Sequence, residues 1–412
     1  MKKSKIYILI FVLLISFIYV SGITSMPNSI VIFQGERINL NSVLGIQIKE
    51  KNTDDNEIAL VSSNKTEESN EFVGKKDYEI NLLGLIPVKE VSVNVLPKAT
   101  VVPVGNTIGL KLYTNGVLVV GMSEIENTIN NNSKPYQNSG IKEGDLIIKI
   151  NKEEVTTTSE LVKKINKSNG EDIEVEYVRN GEAKEASIKP AKVSETEYRL
   201  GFWVRDAAAG VGTVSFYEPS TGGFGALGHG IMDIDTEELI SIASGEVVTT
   251  QILSITKGEK GTPGEMKGTI SGQATIGEIS KNTEFGIYGK LTNLTALSIN
   301  KYDEIEVASR DEIKVGPAKI LCSIENNVKK EYDIEIEKIY KNNDINNKSM
   351  QIRVTDKELL EKTGGIIQGM SGSPIIQNGK FIGAVTHVLV KSPEQGYAVF
   401  GDLMIKKLRE VK

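Results

Sequence analysis

The chain has 412 residues and a formal charge of 48 − 54 = −6, enough length for two or three domains at about 150 residues each. With 39% apolar and 25% charged residues it reads as globular, and its acidic balance excludes the basic stripe that nucleic-acid backbone requires. A single cysteine, Cys322, excludes an internal disulfide framework, and two histidines without an HExxH pattern leave the familiar zinc-hydrolase arrangements without ligands.

The N-terminus places Lys2, Lys3 and Lys5 before an uncharged run over 6–23. Positive charge ahead of an apolar stretch of this length is an export signal, either a cleaved signal peptide or a signal anchor over 1–26, and it directs the body of the chain out of the cytoplasm. Residues 27–98 follow as a small β-rich region. Its strand signals are Ile30, Val31, Ile32 and Phe33, then Val91, Val93 and Val95 alternating with polar neighbours. Between them lies a polar tract, 49–76, with few large apolar residues, read as a linker or long loop.

Residues 99–192 carry a more specific pattern. Gly140 and Gly144 bracket a tight turn before a strand over 146–151, Thr157 and Glu160 form a capping-box pair opening a helix through Leu161, Val162 and Ile165, and Asn180-Gly181 is a hairpin turn. The stretch GIKEGDLIIKIN at 140–151 resembles that of bacterial protease-associated PDZ domains. The resemblance implies a module that takes an extended peptide as an added strand beside a helix. Ile108, Gly109 and Leu110 are the expected loop whose N–H groups receive the peptide's carboxylate.

From 193 to 412 the sequence turns glycine-rich, with short strand-like runs and little helical periodicity, which predicts a barrel or sandwich. Ser371 sits in Gly369-Met370-Ser371-Gly372-Ser373-Pro374. Glycines on either side leave its hydroxyl unshielded and let the N–H groups of Gly369 and Ser371 converge on a developing oxyanion. His229, set between Gly228 and Gly230 and 142 residues before Ser371, is the expected base. His387, in a strand 16 residues after Ser371, is read first as structural or groove-lining, with the base as its alternative role. The carboxylate partner stays open between Asp233, Asp235, Asp303, Asp311, Asp333, Asp344 and Asp356. The serine motif and the strand after it resemble the nucleophile loop of chymotrypsin-like proteases, with Met370 where that class carries an aspartate that pairs with a freed N-terminus.

Taken together, the N-terminal segment, the PDZ-like region, FGALGHGIMDIDT at 224–236 and TDKELLEKTGGIIQGMSGSPIIQNGKFIGAVTHV at 355–388 resemble the stage IV sporulation protein B (SpoIVB) serine peptidases of endospore-forming bacteria. The resemblance implies a mainly β chain, with an α+β PDZ domain followed by a chymotrypsin-like β-barrel protease domain. It implies Ser371 as nucleophile, His229 as base and Asp356 as third triad member. It also implies a signalling endopeptidase exported from the forespore into the space between the two membranes, secreted or membrane-tethered. Such an enzyme cuts itself near its N-terminus, and it cuts a membrane-anchored regulator so that an intramembrane protease can activate a sigma factor. The PDZ ligand would be a peptide or C-terminus, the chain's own N-terminal region being one candidate. No cofactor is expected, since serine chemistry needs none and no GxxxxGK[ST] loop is present. The alternative reading is a non-catalytic PDZ adaptor with a degenerate protease domain.

Overall fold

The computed structural model describes residues 28–36, 46–50, 60–61, 72–82, 86–126, 133–270, 274–300, 303–325, 328–341 and 346–410, together with isolated positions between Tyr7 and Thr24. Most of the expected signal segment and of the polar tract therefore lies outside the described residues, as does Asp344. Among the described residues no helix is long and apolar enough to cross a membrane.

The N-terminal region is a five-stranded sheet in which Ser29–Phe33 runs parallel to Ile86–Leu96. Val91, Val93 and Val95 are buried while Ser92 and Asn94 are half-exposed, as their alternation predicts. The rims of the polar tract, Ile46–Glu50 and Gly74–Leu82, are strands of this sheet rather than linker.

The PDZ-like module follows the sequence signals closely. Helix α1 (Thr158–Lys167) carries the complete capping box between Thr157 and Glu160 and buries Leu161 and Ile165. The turn before Leu146–Ile150 has Gly140 and Gly144 at φ +74° and +88°, and Asp145 is buried in a two-bond pair with Arg179 at 2.6 Å each. Asn180 and Gly181, at φ +52° and +79°, close the hairpin between Ile173–Arg179 and Glu182–Ile188.

One expectation fails here. Thr107–Met122 is a single long strand, β1, and Ile108, Gly109 and Leu110 are not a loop. Ile108 and Leu110 are fully buried, and all three pair on both sides, with residues 247–249 and with residues 210–212. A Cβ on Gly109 would lie 2.7 Å from Val248, so this glycine allows strands to pack, and its N–H has no access to a peptide. Only the second half of β1 belongs to the module, through Val117 and Leu118 beside Leu146–Ile150. The range 99–192 therefore takes in the whole of β1, although its first half pairs outside the module.

The remainder is two six-stranded antiparallel barrels. The first joins β1, Ile242–Thr249, Thr275–Thr283, Gly286–Leu291, Gly223–Ala226 and a 17-residue strand, β2 (Phe202–Glu218), which closes the ring by pairing back on β1. The second is closed by Gly316–Glu325, Val328–Ile339, Met350–Val354, Ser392–Phe400, Lys380–Leu389 and Pro374–Gln377. Its core includes Ile336, Ile352, Phe381, Ala384 and Phe400, all fully buried. The closing helix Gly401–Arg409 buries Leu403, Met404, Ile405 and Leu408 in that same core.

Candidate active site

A cavity of about 820 Å³ brings together His229 from the first barrel and Ser371 from the second, with Thr386 and His387 beside them. Each side chain is delivered by backbone that most residues disfavour. Ser371 lies between Gly369 at φ +101° and Gly372 at φ +97°. A Cβ on Gly372 would stand 2.1 Å from the Thr213 carbonyl, so only glycine lets the loop approach β2 this closely. His229 follows two left-handed residues, Leu227 at φ +69° and Gly228 at φ +70°. Leucine in that region is strained, and such strain concentrates at functional sites.

The Ser371 loop is pinned from the first barrel. Thr213 donates its N–H to the Ser371 carbonyl at 3.0 Å and its hydroxyl to the Gly369 carbonyl at 2.8 Å. These bonds fix the Gly369–Met370 and Ser371–Gly372 peptide groups, and Met370 between them is a fully buried core residue. The N–H groups of Gly369 and Ser371 donate to no acceptor among the described residues. Two unpaired donors on a loop held by two others are the arrangement an oxyanion needs.

His229 Nδ1 lies 2.8 Å from the Gly230 carbonyl. A carbonyl only accepts, so Nδ1 carries the proton and Nε2 is left as a bare lone pair, the form a general base requires. A Cβ on Gly230 would strike Leu239 at 2.2 Å and the Thr283 carbonyl at 2.7 Å, which explains the second glycine of the motif. Burial lowers the His229 pKa below its ordinary value, partly opposed by the Gly230 carbonyl. His387 stands with its ring centroid 5.0 Å from that of His229, and its buried Nδ1 has no hydrogen-bond partner among the described residues. Burial, then the neighbouring His229 and Lys348, push its pKa down to about 4. The Ser371 hydroxyl donates to the Thr386 carbonyl at 2.8 Å, so attack requires it to rotate away from that acceptor.

Asp356 does not join this group. It caps helix α2 (Lys357–Thr363), accepting from Leu359 N–H at 3.0 Å and from Asp333 N–H at 3.5 Å, and it is absent from the cavity wall. A threonine-aspartate pair before an apolar helix is an N-cap signal as much as a catalytic one, and here the cap is what forms. Asp233 and Asp235, adjacent to His229 in sequence, both bind Arg205 of β2, Asp235 at 2.8 Å. Burial opposes ionisation of Asp233, but N–H bonds from Thr236 and Asp235 and the Arg205 charge outweigh it and hold the carboxyl below its usual range. Neither aspartate bonds His229, whose orienting acceptor is a backbone carbonyl that residue type could not reveal. Thr213 was likewise invisible, since its role depends on a contact across 158 residues of chain.

Two barrels meeting at a histidine and a glycine-flanked serine, with an α+β module ahead of them, define a serine peptidase carrying a PDZ domain. The family model described as SpoIVB peptidase S55 matches residues 196–405, half of the chain, and the chain belongs to that family. A PDZ domain model matches residues 108–189, although the structure gives 108–113 to the first barrel. Among curated proteins the chain is similar to a zinc metalloprotease RasP of Shouchella clausii (strain KSM-K16), at 34% identity over 93 residues, 22% of this chain and 21% of that one. It thus spans about a fifth of the length of that relative. Among solved structures it is similar to the PDZ domain of an SdrC-like protein from Listeria monocytogenes (18% identity, 22% of this chain and 87% of that one, TM-score 0.18). It is also similar to the Rv3671c protease in its inactive form (13% identity, 49% and 84%, TM-score 0.27).

Proposed function

We propose that this peptidase acts through Ser371 and His229, and that the observation carrying the assignment is their convergence in one cavity from separate barrels. The Ser371 hydroxyl attacks the scissile carbonyl as its proton passes to Nε2 of His229. The Gly230 carbonyl holds the imidazole in the required tautomer. The N–H groups of Gly369 and Ser371 stabilise the tetrahedral oxyanion. Acylation releases the amine half with that proton, and water repeats the sequence to free the acid.

The family supports a finer reading. The enzyme is exported from the forespore into the space between the membranes, secreted or held by its N-terminal segment. There it cuts itself in the polar tract and cuts a membrane-anchored regulator, so that an intramembrane protease can process a sigma factor. A PDZ domain implies peptide binding, and the ligand is a peptide or C-terminus, the chain's own N-terminal region included.

The test follows chain length of residues 27–412 by intact mass over time, as wild type and as Ser371→Ala. Shortening of the wild type alone is the expected result. If both remain full length and a fluorophosphonate fails to label Ser371, the catalytic reading is overturned in favour of the adaptor.

A further inference from the structure

Strand β2 is paired on one side only over most of its length. Residues 202–213 pair with β1, while contacts with Gly223–Ala226 and with Thr100–Pro103 begin at Val214 and Phe216. Over 203–212 the other edge has no strand partner among the described residues. The two ends of this open edge differ. At its start it is the outermost strand of the PDZ sheet and lies beside α1, whose Thr158 N–H donates to the Asp206 carboxylate at 2.6 Å. At its end, Ala208, Ala209, Gly210 and Val211 line the cavity that holds Ser371.

Register fixes which backbone groups face outward. Thr213 turns its N–H to Ser371 and its carbonyl to Leu227 N–H, both away from β1. The pairing between residues 207 and 213 is regular, without a bulge, and alternate residues of a strand direct their N–H and C=O to the same side. Val211 and Ala209 therefore present donors and acceptors on the cavity side that are unpaired among the described residues, in line with Thr213, which grips the Ser371 loop. Ala208, Gly210 and Gly212 spend theirs on β1. A long uncovered edge is a liability unless it has an occupant. Here the side chains over 207–210 are methyl groups or hydrogen, and a Cβ on Gly210 would meet nothing within 4 Å. Trp203, at the module end, is 64% exposed, and Val162 of α1 is 47% exposed.

We propose that the open edge of β2 is one docking track for an extended polypeptide, running from α1 and Trp203 in the PDZ module to Ser371 in the cleft. The substrate joins as an added strand, with backbone bonds at Ala209 and Val211, while its distal part contacts Trp203 and Val162. The inference rests on the chain being a peptidase and names how its substrate is held. A polypeptide is the occupant because the track offers main-chain donors and acceptors with little side-chain relief, ends at a peptidase nucleophile, and spans roughly 30 Å. One strand thus serves as the ligand edge of the module and as a wall of the cleft.

The chain's single tryptophan is itself the probe. The full chain with Ser371→Ala is titrated with a pool of random tryptophan-free peptides of about 14 residues, long enough to span the track, and separately with peptides of about five. Long peptides should shift Trp203 emission saturably and short ones should not. Ala209→Pro removes an outward N–H, which edge strands tolerate, and should weaken the long-peptide response about tenfold. The otherwise unaltered active protein should be labelled at Ser371 by a fluorophosphonate. Ala208→Pro removes a bond to β1 instead and should lower the melting temperature, which checks the register. An absent shift with long peptides, or an equal shift in Ala209→Pro, overturns the track. Absent labelling in the active protein would instead overturn the peptidase mechanism, so the two failures are separable.

Discussion

At the residue scale, the two histidines govern the response to acid. Because burial lowers both, and brings His387 to about 4 from 6.5, they stay neutral where free imidazoles protonate. On the proposed mechanism the base is therefore available in mild acid, and the acid limb of kcat/KM should fall below pH 6.5 in a profile of peptide cleavage. Stability runs the other way. Below pH 6.5 the unfolded chain takes up protons that folded His387 refuses, so stability declines as pH falls toward about 4. Urea midpoints at pH 7 and pH 5 should differ more for wild type than for His387→Phe. Asp356 separates the cap from the triad. Asp356→Ala should cost about 1 kcal/mol of stability through loss of the cap and leave the rate of fluorophosphonate labelling nearly unchanged. A triad carboxylate would instead lower the rate by about 10⁴.

At the scale of elements, the Ser371 loop is shaped by its grip on β2. Gly372→Ala puts a methyl group on the Thr213 carbonyl and asks alanine to adopt φ +97°. It should cost roughly 1–3 kcal/mol and abolish labelling at Ser371, measurable by denaturation and probe mass. The glycines around Ser371 and His229 were legible because a catalytic side chain in tight backbone needs them within a few residues. Ile108-Gly109-Leu110 misled for the same reason. A glycine in an apolar run looks alike whether it turns the chain or lets two strands pack closely, and only the neighbouring Val248 decides between them. The segment 207–212, nearly all alanine and glycine, carries little strand propensity, yet it is held as strand by pairing to β1 along its length.

At the scale of the molecule, the PDZ module and the first barrel are not beads on a string, because β1 and β2 pass through both. A fragment cut at 99–192 leaves out residues 202–205, the strand beside residues 118–122, together with the buried Leu200. That fragment should melt well below one spanning 115–206, and calorimetry of the two decides whether the edge strand belongs to the module. Arg205 extends the connection by binding Asp233 and Asp235 in the segment that follows His229.

By itself the sequence determined the PDZ signature, the mainly β character and the serine and histidine motifs. Each is a local pattern whose chemistry depends on neighbours a few residues apart. Tertiary structure alone decided that Asp356 caps a helix, that a backbone carbonyl orients His229, that Thr213 holds the serine loop, and that one strand joins the module to the cleft. Those outcomes depend on pairing register and on contacts between segments more than a hundred residues apart, or on which of several equivalent local bonds the folded chain makes. Local spacing carries no record of either.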